Sequence, residues 1–386
     1  MIDKQQLQKI YDVMREQRGK TLSKYACRDE QATRARPMDR QHFRSAFALD
    51  RDRILYSGAY RRYQGKTQVF SFTNMIDEEM SNRSLHTSYV SQISRTIGKV
   101  LGLNLELIEA IALGHDLGHT PFGHDGEVAL SRNCQKHGIG HFHHNIESLH
   151  IVDSVSRAGD GHNLTFQVRD GIISHDGEVH NTVLRPQWDK TEADIDEYIA
   201  KKKAGQKATW MPATLEGCVV RISDTIAYIG QDIEDAIRYN ILKREELPAD
   251  CVAYLGSHNG EIVDKLVKSV IASSFEHDYI AFDEETSQYL KKLKDFNYQR
   301  IYTAPNVKKA NERIYRSMDI LFGIYMDDIA QDNKDSMIWK HFLDHKKPVY
   351  MDRFCNAEKV RDFIATMTDR YFNEEVKSHL LPGIKL

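Results

Sequence analysis

Residues 114–127 combine amino acids that end helices with amino acids that bind metal ions. The stretch reads Gly-His-Asp-Leu-Gly-His-Thr-Pro-Phe-Gly-His-Asp-Gly-Glu. Asn104 can cap a helix whose apolar stripe leads into this stretch. Gly118 and Pro121 disfavour continuation of that helix. We therefore expect a helix that begins after Asn104 and ends at the His-Asp pair.

His115 and Asp116 are adjacent candidate ligands for a divalent metal ion. Imidazole and carboxylate together suit Mn, Mg, Fe, Ni or Zn better than a metal that prefers thiolates. Neighbouring helical side chains diverge by about 100°, so both reach one ion most readily where the helix ends. The alternative is a chance His-Asp ion pair. A second pair, His175-Asp176, lacks such surroundings in the sequence, and we expect it to be structural or to support the ligands, without forming a second catalytic centre.

The histidines are unevenly distributed along the chain. Twelve of the 18 lie between His86 and His180, where an even spread would place about four or five. A cluster of this kind is explained more readily by a functional site than by a hydrophobic core. The distribution therefore favours the metal-site interpretation of the first His-Asp pair.

A second helix is predicted over residues 82–101, with Asn82 as its cap. His86 lies beside its apolar stripe, one turn from the cap, and can point inward. The stripe consists of residues at four-residue spacing: Leu85, Tyr89, Ile93, Ile97 and Leu101. His86 is therefore a candidate for a further ligand.

A third helix is predicted over residues 215–237, where apolar residues recur at helical spacing. Asp224, Tyr228 and Asp232 fall on the face opposite that stripe. Charged helix positions usually face solvent. The alternative is that this face lines a cleft in which Asp224 holds the metal ion.

The order of these residues resembles the metal-binding pattern of the HD-domain phosphohydrolases: His86, then His115-Asp116, then Asp224. Within that superfamily, residues 114–124 resemble the deoxynucleoside triphosphate triphosphohydrolases, the dGTPase-like proteins. The resemblance covers residues 50–240 well. Further agreeing stretches are Arg51-Asp52-Arg53-Ile54-Leu55-Tyr56-Ser57, Lys66-Thr67-Gln68-Val69-Phe70, Asn82-Arg83, Phe142-His143-His144-Asn145 and Arg221-Ile222-Ser223-Asp224-Thr225-Ile226-Ala227-Tyr228.

The resemblance implies a role for each matching residue and a reaction. The implied reaction is hydrolysis of a deoxynucleoside triphosphate (dNTP) at the α-phosphorus, giving a deoxynucleoside and inorganic triphosphate. Implied metal ligands are His86, His115, Asp116 and Asp224; implied catalytic residues are His124 with Glu127 beside it, and His119 and His144 near the phosphates. Implied substrate contacts are Arg83 to phosphate, Gln64 and Asp232 to the sugar 3′-hydroxyl, and the Tyr228 ring, which leaves no room for a 2′-hydroxyl. The adjacent His143 leaves the choice of the third active-site imidazole open, and base-reading residues are not placed.

The residues themselves also support hydrolysis. Two imidazoles and two carboxylates leave positions on an octahedral ion for water and a phosphate oxygen. His124 follows the Gly-Pro turn and can face the same cleft, and Glu127 can hold its imidazole and raise its pKa. The alternative for His124 is a turn or capping histidine.

Residues 51–66 are basic and aromatic, as a triphosphate or single-strand contact requires. Arg53 and Lys66 are therefore candidate substrate-binding residues. The stretch contains Arg51, Arg53, Arg61, Arg62 and Lys66 interleaved with Tyr56, Tyr60 and Tyr63. For Arg83 the alternative is a surface ion pair with an acidic residue at 77–79, and for the basic run Arg34, Arg36, Arg40 and Arg44 we expect a solvated face.

Composition bounds the fold. The chain has 386 residues, 41% of them hydrophobic, five cysteines without paired spacing, and a net charge of −3. We expect a soluble cytoplasmic protein whose anion-binding sites are local. Strand-type alternation is scarce, which predicts an all-α fold. The resemblance implies that this is the HD-domain helical fold, with additional C-terminal helices. The predicted divisions are an N-terminal helical segment with the basic stretch (1–81), a core (82–240) with an excursion or flap at 186–212, and a C-terminal helical region (241–386).

Three functions remain open on sequence grounds. The first is the dNTP triphosphohydrolase. The second is an HD phosphohydrolase acting on nucleoside monophosphates, cyclic nucleotides or guanosine tetraphosphate, which needs only the four ligands. The third is a nucleotide- or DNA-sensing module with a relic site. The resemblance further implies a homo-oligomer, a hexamer or tetramer, and a regulatory dNTP or single-stranded DNA is a candidate partner.

Overall fold

The computed structural model describes residues 3–38, 43–68, 81–175, 180–303 and 305–381. These residues are mainly helical, which confirms the all-α prediction. The helices are α1 (Lys4–Thr21), α2 (Ala46–Leu55), α3 (Gly58–Arg61), α4 (Arg83–Val100), α5 (Leu105–Gly114), α6 (Gly123–Lys136), α7 (His144–His150), α8 (Phe166–Ile173), α9 (Glu192–Lys203), α10 (Leu215–Ile229), α11 (Gln231–Arg238), α12 (Ala249–Leu255), α13 (Asn259–Ser274), α14 (Glu284–Asn297), α15 (Pro305–Ala330), α16 (Met337–His341), α17 (Pro348–Arg353), α18 (Asn356–Ala365) and α19 (Asp369–Leu380). Two short strands, β1 (Val183–Leu184) and β2 (Ile280–Ala281), pair antiparallel.

Helices α4, α5 and α10 pack against one another at the centre of the fold, and α5 also packs on α2 and α8. Leu107, Ile108 and Ile111 of α5 are fully buried among these neighbours. Seven of the ten residues of α5 are buried, which fits its largely apolar sequence. The C-terminal end of α5 therefore lies deep in the protein, where the His-Asp pair follows it.

The predicted caps of α4 and α5 are confirmed. The Asn82 side chain accepts a hydrogen bond from the backbone N–H of Leu85, and the Asn104 side chain accepts one from Leu107. Each cap satisfies a backbone donor that the first helical turn leaves unpaired. At the other end of α5, a Cβ on Gly118 would overlap the backbone of Ser148. Glycine at 118 thus allows α7 to approach the end of α5.

The buried face of α4 begins at His86, one residue after the start of the predicted apolar stripe at Leu85. The Leu85 side chain is 36% exposed, whereas His86 and Val90 are buried together with Ile93 and Ile97. Residues at four-residue spacing move about 40° around a helix at each step, so a straight stripe drifts off the buried face. The expectation that His86 points inward is confirmed.

The helix predicted over 215–237 is two helices, α10 and α11, which meet at Gly230. A Cβ on Gly230 would overlap Asn259 at the start of α13. Most side chains of α10 are buried, and Asp232 in α11 is buried as well. The interpretation that Asp232 faces solvent is therefore wrong, because neighbouring elements cover this side of α11.

The N-terminal basic run is only partly solvated. Arg34 forms an ion pair of 2.6 Å with the fully buried Asp50, so the expectation of a solvated face is wrong for this residue. A buried carboxylate requires a paired charge, which explains why Arg34 is drawn inward. Arg44 pairs with Asp52 at 2.9 Å, and Arg40 lies outside the described residues.

Residues 186–212 contain α9 and pack over α7 and α8. Tyr198 and Trp210 are buried, and the Asn145 side chain donates to the Tyr198 hydroxyl at 3.2 Å. Lys190 and the Trp210 indole both donate to Asp170 in α8. This excursion is therefore held in place by hydrogen bonds to the core helices.

The C-terminal helices lie against α6. Helix α15 packs on α6, α18 and α19, and α18 also contacts α6. The buried Asp362 of α18 lies 2.9 Å from His150 of α7 and accepts a hydrogen bond from Tyr350.

Among the residues described, no helix is long and apolar enough to cross a membrane.

Candidate metal centre and active site

Two buried histidines from α4 and α5 form one side of the site. His86 is on the first turn of α4, His115 directly follows α5, and their ring centroids are 5.6 Å apart. His115 Nδ1 donates to the carbonyl of Ala112 at 2.7 Å, so Nε2 keeps its lone pair. Burial lowers the pKa of His115 to about 4, which favours the neutral ring. Within the described part of the chain, His115 Nε2 is buried without a hydrogen-bond partner.

Two carboxylates complete the set of four predicted ligands. Asp116 Oδ2 lies 3.5 Å from His115 Nε2 and 4.0 Å from His86 Nε2. Asp224 Oδ1 lies 2.9 Å from His86 Nε2 and 3.8 Å from His115 Nε2. Ligands about 2.1 Å from an octahedral ion are about 3 Å apart when adjacent and about 4.2 Å apart when opposite. These spacings and the unpartnered Nε2 of His115 fit a divalent metal ion.

Asp116 also contacts two further histidines through its other oxygen. Asp116 Oδ1 lies 3.3 Å from His119 Nε2 and 3.2 Å from His175 Nε2. Although burial disfavours the charged form, the nearby His115 and Arg83 hold the pKa of Asp116 well below its usual range. Sequence reasoning did not include His175 among the site residues. The sequence feature that could have identified it is its own His-Asp dipeptide. Asp176 of that dipeptide lies outside the described residues.

The structure resolves the choice between His143 and His144. His144 Nδ1 lies 2.8 Å from Glu127 Oε2, and its backbone N–H donates to Glu127 Oε1 at 2.8 Å. Its ring stacks on His119 with centroids 4.0 Å apart. His143 Nε2 is 3.3 Å from the carbonyl of Lys202 instead. His144 is therefore the histidine that faces the site.

His124 lies in the first turn of α6, and its side chain is 59% exposed. Its Nδ1 is 3.4 Å from Glu127 Oε2, so Glu127 lies between His124 and His144. Burial opposes ionisation of Glu127, but these two imidazoles hold its pKa well below the usual range. The ring centroids of His119 and His124 are 5.3 Å apart. The structure thus brings together all four histidine and glutamate residues predicted as catalytic.

The loop before His124 is held by α19. Phe122 and Gly123 both have left-handed backbone conformations, with φ of 65° and 55°. Asp369 Oδ1 accepts the Phe122 N–H at 3.0 Å, and Asp369 Oδ2 accepts the Thr67 N–H at 3.0 Å. The Phe122 ring also packs edge-on against Phe372. Sequence reasoning missed Asp369, because nothing near it in the sequence indicates a partner 247 residues away.

Arg83 and Lys66 are both buried beside the site. Arg83 is 2% exposed, and its Nη1 donates to Asp116 Oδ2 at 2.5 Å. The acidic residues 77–79, the alternative partners for Arg83, lie outside the described residues. Lys66 Nζ donates to the carbonyl of Ala365 at 2.8 Å and to that of His119. Burial lowers the pKa of Lys66 to about 7, and a phosphate contact would require Nζ to leave these carbonyls.

The residues expected to hold the sugar occupy α10, α11 and the turn before residue 66. Tyr228 is one turn after Asp224 and packs against the core, whereas Gln64 is exposed. Asp232 accepts a hydrogen bond of 2.5 Å from the Tyr302 hydroxyl. Burial raises the pKa of Asp232 to about 7, and its Oδ1 has no hydrogen-bond partner within the described ranges.

Arg53 makes its described contacts with another segment. Its Nη1 donates to the carbonyl of His162 at 2.7 Å, and its Nη2 lies 2.8 Å from the sulfur of Met38. Burial and the neighbouring Arg34 lower its pKa. These contacts tie α2 to the segment between α7 and α8. A substrate contact from Arg53 stays a prediction.

Known families match this arrangement. The HD domain matches residues 83–229, which contain all four candidate ligands, and the phosphohydrolase-associated domain matches residues 280–378. The second match includes α18 and most of α19, and α19 contacts the loop before His124 through Asp369 and Phe372.

Curated proteins match nearly the whole chain. A deoxyguanosinetriphosphate triphosphohydrolase-like protein of Caldanaerobacter subterraneus subsp. tengcongensis is 35% identical over 376 residues, covering 97% of this chain and 97% of that protein. A protein of the same name from Desulfatibacillum aliphaticivorans is 36% identical over 356 residues, covering 91% and 92%. One from Clostridium tetani is 34% identical over 333 residues, covering 85% and 83%. With its HD domain and these relatives, the chain belongs to the dGTPase-like family of HD-domain phosphohydrolases.

Proposed function

We propose that this protein hydrolyses deoxynucleoside triphosphates at the α-phosphorus and releases a deoxynucleoside and inorganic triphosphate. The observation that carries the proposal is one continuous cluster. Four candidate ligands, His86, His115, Asp116 and Asp224, adjoin the histidines that Glu127 holds. The names of the relatives support the same reaction.

The four candidate ligands would hold a divalent ion of Mn, Mg, Fe, Ni or Zn. A bound ion of this kind polarises a phosphoryl oxygen and lowers the pKa of bound water. The chain contributes a buried, preorganised donor set, because Asn82 and Asn104 cap the two helices that carry His86 and His115.

His124 is proposed to deliver the proton to the leaving oxygen. Its Nδ1 faces Glu127, so Nε2 is the nitrogen that would reach the substrate. Its exposure gives a nucleotide access to the ring. Glu127 remains a carboxylate and can orient both His124 and His144.

Positive and polar groups around the ion are proposed to bind the nucleotide. Arg83, His119 and His144 would contact phosphate oxygens, with Lys66 supporting the backbone of His119. Sugar recognition is assigned to Gln64 and Asp232 at the 3′-hydroxyl and to Tyr228 at the ring face; Arg53 is retained as a more remote candidate contact.

The broader setting of the enzyme is proposed from the family. We propose a cytoplasmic homo-oligomer, a hexamer or tetramer, that a dNTP or single-stranded DNA regulates. The division into residues 1–81, 82–240 and 241–386 is proposed in the same way. Light scattering at concentrations where the protein is active tests the assembly, and a monomer mass would contradict it.

Product analysis tests the reaction. The protein is incubated with Mn²⁺ and each of the four dNTPs, and the products are separated by ion-exchange chromatography. The expected products are a deoxynucleoside and triphosphate in equal amounts. Orthophosphate or pyrophosphate from a dNTP would contradict the proposal. Hydrolysis of a nucleoside monophosphate, a cyclic nucleotide or guanosine tetraphosphate alone would favour the second HD reaction, and no turnover would favour a sensing module.

A further inference from the structure

A cavity of about 390 Å³ lies between α3, the segment that joins α7 to α8, and residues 341–346 of the C-terminal region. This volume falls within the range of small-molecule sites, about 300–1,000 Å³. Its described lining includes none of the residues proposed above to bind the metal ion or the nucleotide. That lining contains no carboxylate but six basic or imidazole side chains, Arg62, Arg157, His162, His341, His345 and Lys346. We call this space the basic cavity.

Arg62 brings a partly buried guanidinium to the basic cavity without a counter-ion. It begins the turn that follows α3. Burial lowers the pKa of Arg62 to about 10, and the neighbouring Arg61 adds to this shift. Among the residues described, the Arg62 side chain forms no hydrogen bond or ion pair. Charges removed from water are normally paired in proteins, because an unpaired ion loses its hydration without compensation. An anion in the cavity would supply the missing partner.

Arg157 and His162 line the basic cavity from the segment between α7 and α8. Arg157 is exposed and, within the described ranges, forms no ion pair. His162 is 6% exposed, and its buried Nε2 has no hydrogen-bond partner in the described part of the chain. Burial lowers the pKa of His162 to about 4, and Arg157 adds to this shift, so the ring is neutral. A neutral imidazole keeps one N–H that a bound anion can accept.

Lys346 adds a further cation to the basic cavity. Its Nζ donates to the carbonyl of Val155 at 2.5 Å and lies 4.2 Å from the centre of the Phe342 ring. Burial lowers the pKa of Lys346 to about 8; the nearby Asp362 opposes this shift, and Arg62 adds to it. The charges of Lys346 and Arg62 therefore repel each other, and a bound anion would offset that repulsion.

The loop that carries Arg157 has an uncommon backbone conformation. Arg157 and Ala158 are left-handed, with φ of 53° and 60°. The Lys347 N–H donates to the carbonyl of Ala158 at 2.8 Å, and a Cβ on Gly159 would overlap Tyr350. Left-handed residues other than glycine persist where surrounding contacts fix them. The C-terminal region thus holds this loop in the conformation that lines the basic cavity.

We propose that the basic cavity binds a small phosphate ester, with its phosphate held by Arg62, Arg157 and His162. Guanidinium groups bind phosphate through paired hydrogen bonds, which favours phosphate over other anions. The rest of the ester lies against the apolar part of the lining, where Phe342 is the largest side chain. A lone inorganic ion would leave that part of the cavity unfilled. The proposal is independent of the proposed reaction, because it uses none of the residues assigned to it.

Calorimetric titration of the full-length protein with phenyl phosphate tests the proposal. EDTA is present, so that a metal ion at the candidate metal centre does not contribute to binding. The parent is expected to bind one phenyl phosphate per chain, at least about tenfold more tightly than orthophosphate, because the ring buries apolar surface. Equal affinity for orthophosphate would assign the cavity to an inorganic anion and overturn the ester. Binding of neither compound would overturn the site.

Two variants and a matched control locate the binding. Arg157→Gln, at an exposed position, is expected to weaken phenyl phosphate binding at least about tenfold, because it removes a charge-assisted hydrogen bond. Arg62→Met is expected to abolish binding and to raise the Tm of the ligand-free protein, because it removes a charge that has no partner. Arg61→Gln is the control, since Arg61 is exposed and is not part of the described lining.

The control is expected to bind phenyl phosphate as the parent does. Unchanged affinity in both Arg157→Gln and Arg62→Met would place the anion elsewhere and overturn the proposal, as would an equal loss in Arg61→Gln. If Arg62→Met fails to fold by circular dichroism, Arg157→Gln alone decides the outcome. Phenyl phosphate binding with these losses, in a protein that hydrolyses no dNTP, would uphold this inference and reject the reaction.

Discussion

The two His-Asp pairs of this chain are locally alike and differ in their tertiary surroundings. His115 follows α5 and His175 comes two residues after α8, and each ring donates Nδ1 to the carbonyl three residues earlier. Their ring centroids lie 5.0 Å apart at 86°. His86 and Asp224 approach His115, whereas His175 meets Asp116 and His144. A pair that looks isolated in the sequence can therefore belong to the same site in space.

The largest expected effect is at the first pair. Asp116→Ala removes a carboxylate that lies near His86 and His115 through one oxygen and near His119 and His175 through the other. We therefore expect loss of bound Mn²⁺ and a fall in dNTP hydrolysis of at least about 10³-fold. His115→Ala is expected to abolish hydrolysis as well, and His175→Ala to reduce it less. Metal content and hydrolysis are measured together. Equal loss of activity and metal in His115→Ala and His175→Ala would mean that the two pairs do not differ as described.

The next effect separates catalysis from metal binding. We expect His124→Ala to keep its metal and to lose about 10²–10⁴-fold in turnover, as removal of a general acid usually causes. Glu127→Gln keeps both imidazoles and should lose less. Turnover and Mn²⁺ content are compared with those of His143→Ala. Full activity in His124→Ala would show that the proton comes from another group.

A smaller effect is expected at the contact between α19 and the loop before His124. Asp369→Asn replaces a carboxylate that accepts three hydrogen bonds from Thr67 and Phe122 with an amide that has one acceptor oxygen. We expect kcat to fall about tenfold with metal content unchanged, and stability to fall by about 1–3 kcal/mol. Glu374→Gln on the exposed face of α19 is the control. Unchanged kcat together with reduced thermal stability would limit Asp369 to a structural role.

The smallest effect on chemistry is expected at Tyr228. Tyr228→Ala removes a wall of the proposed sugar site and leaves the metal ligands and His124 in place. We expect dGTP hydrolysis to change by less than about tenfold while GTP becomes a substrate, because one removed steric contact is worth about 1–3 kcal/mol of discrimination. The measurement is the ratio of kcat/KM for dGTP and GTP. A ratio as high as that of the parent would assign the sugar filter to another residue.

The sequence alone determined the structural features that depend only on residues close together in the chain. The Asn82 and Asn104 caps, the end of α5 and the inward orientation of His86 follow from side chains within one or two helical turns. The same holds for the donor atoms that the His-Asp pair offers, because donor type does not depend on the fold. The resemblance to a family added the roles proposed for His124, Glu127 and Asp224, which spacing by itself left open.

Only the tertiary structure decided which distant residues meet. The close packing of α8 on α5, where a Cβ on Gly171 would overlap Ile111, brings His175 to Asp116. Asp369 reaches the loop before His124 from a position 247 residues away in the chain. At the junction of α10 and α11, Gly230 lies so close to Asn259 of α13 that a Cβ would overlap it. Hydrogen bonds and close packing act over a few ångströms in space, so contacts between distant segments are not encoded in local periodicity.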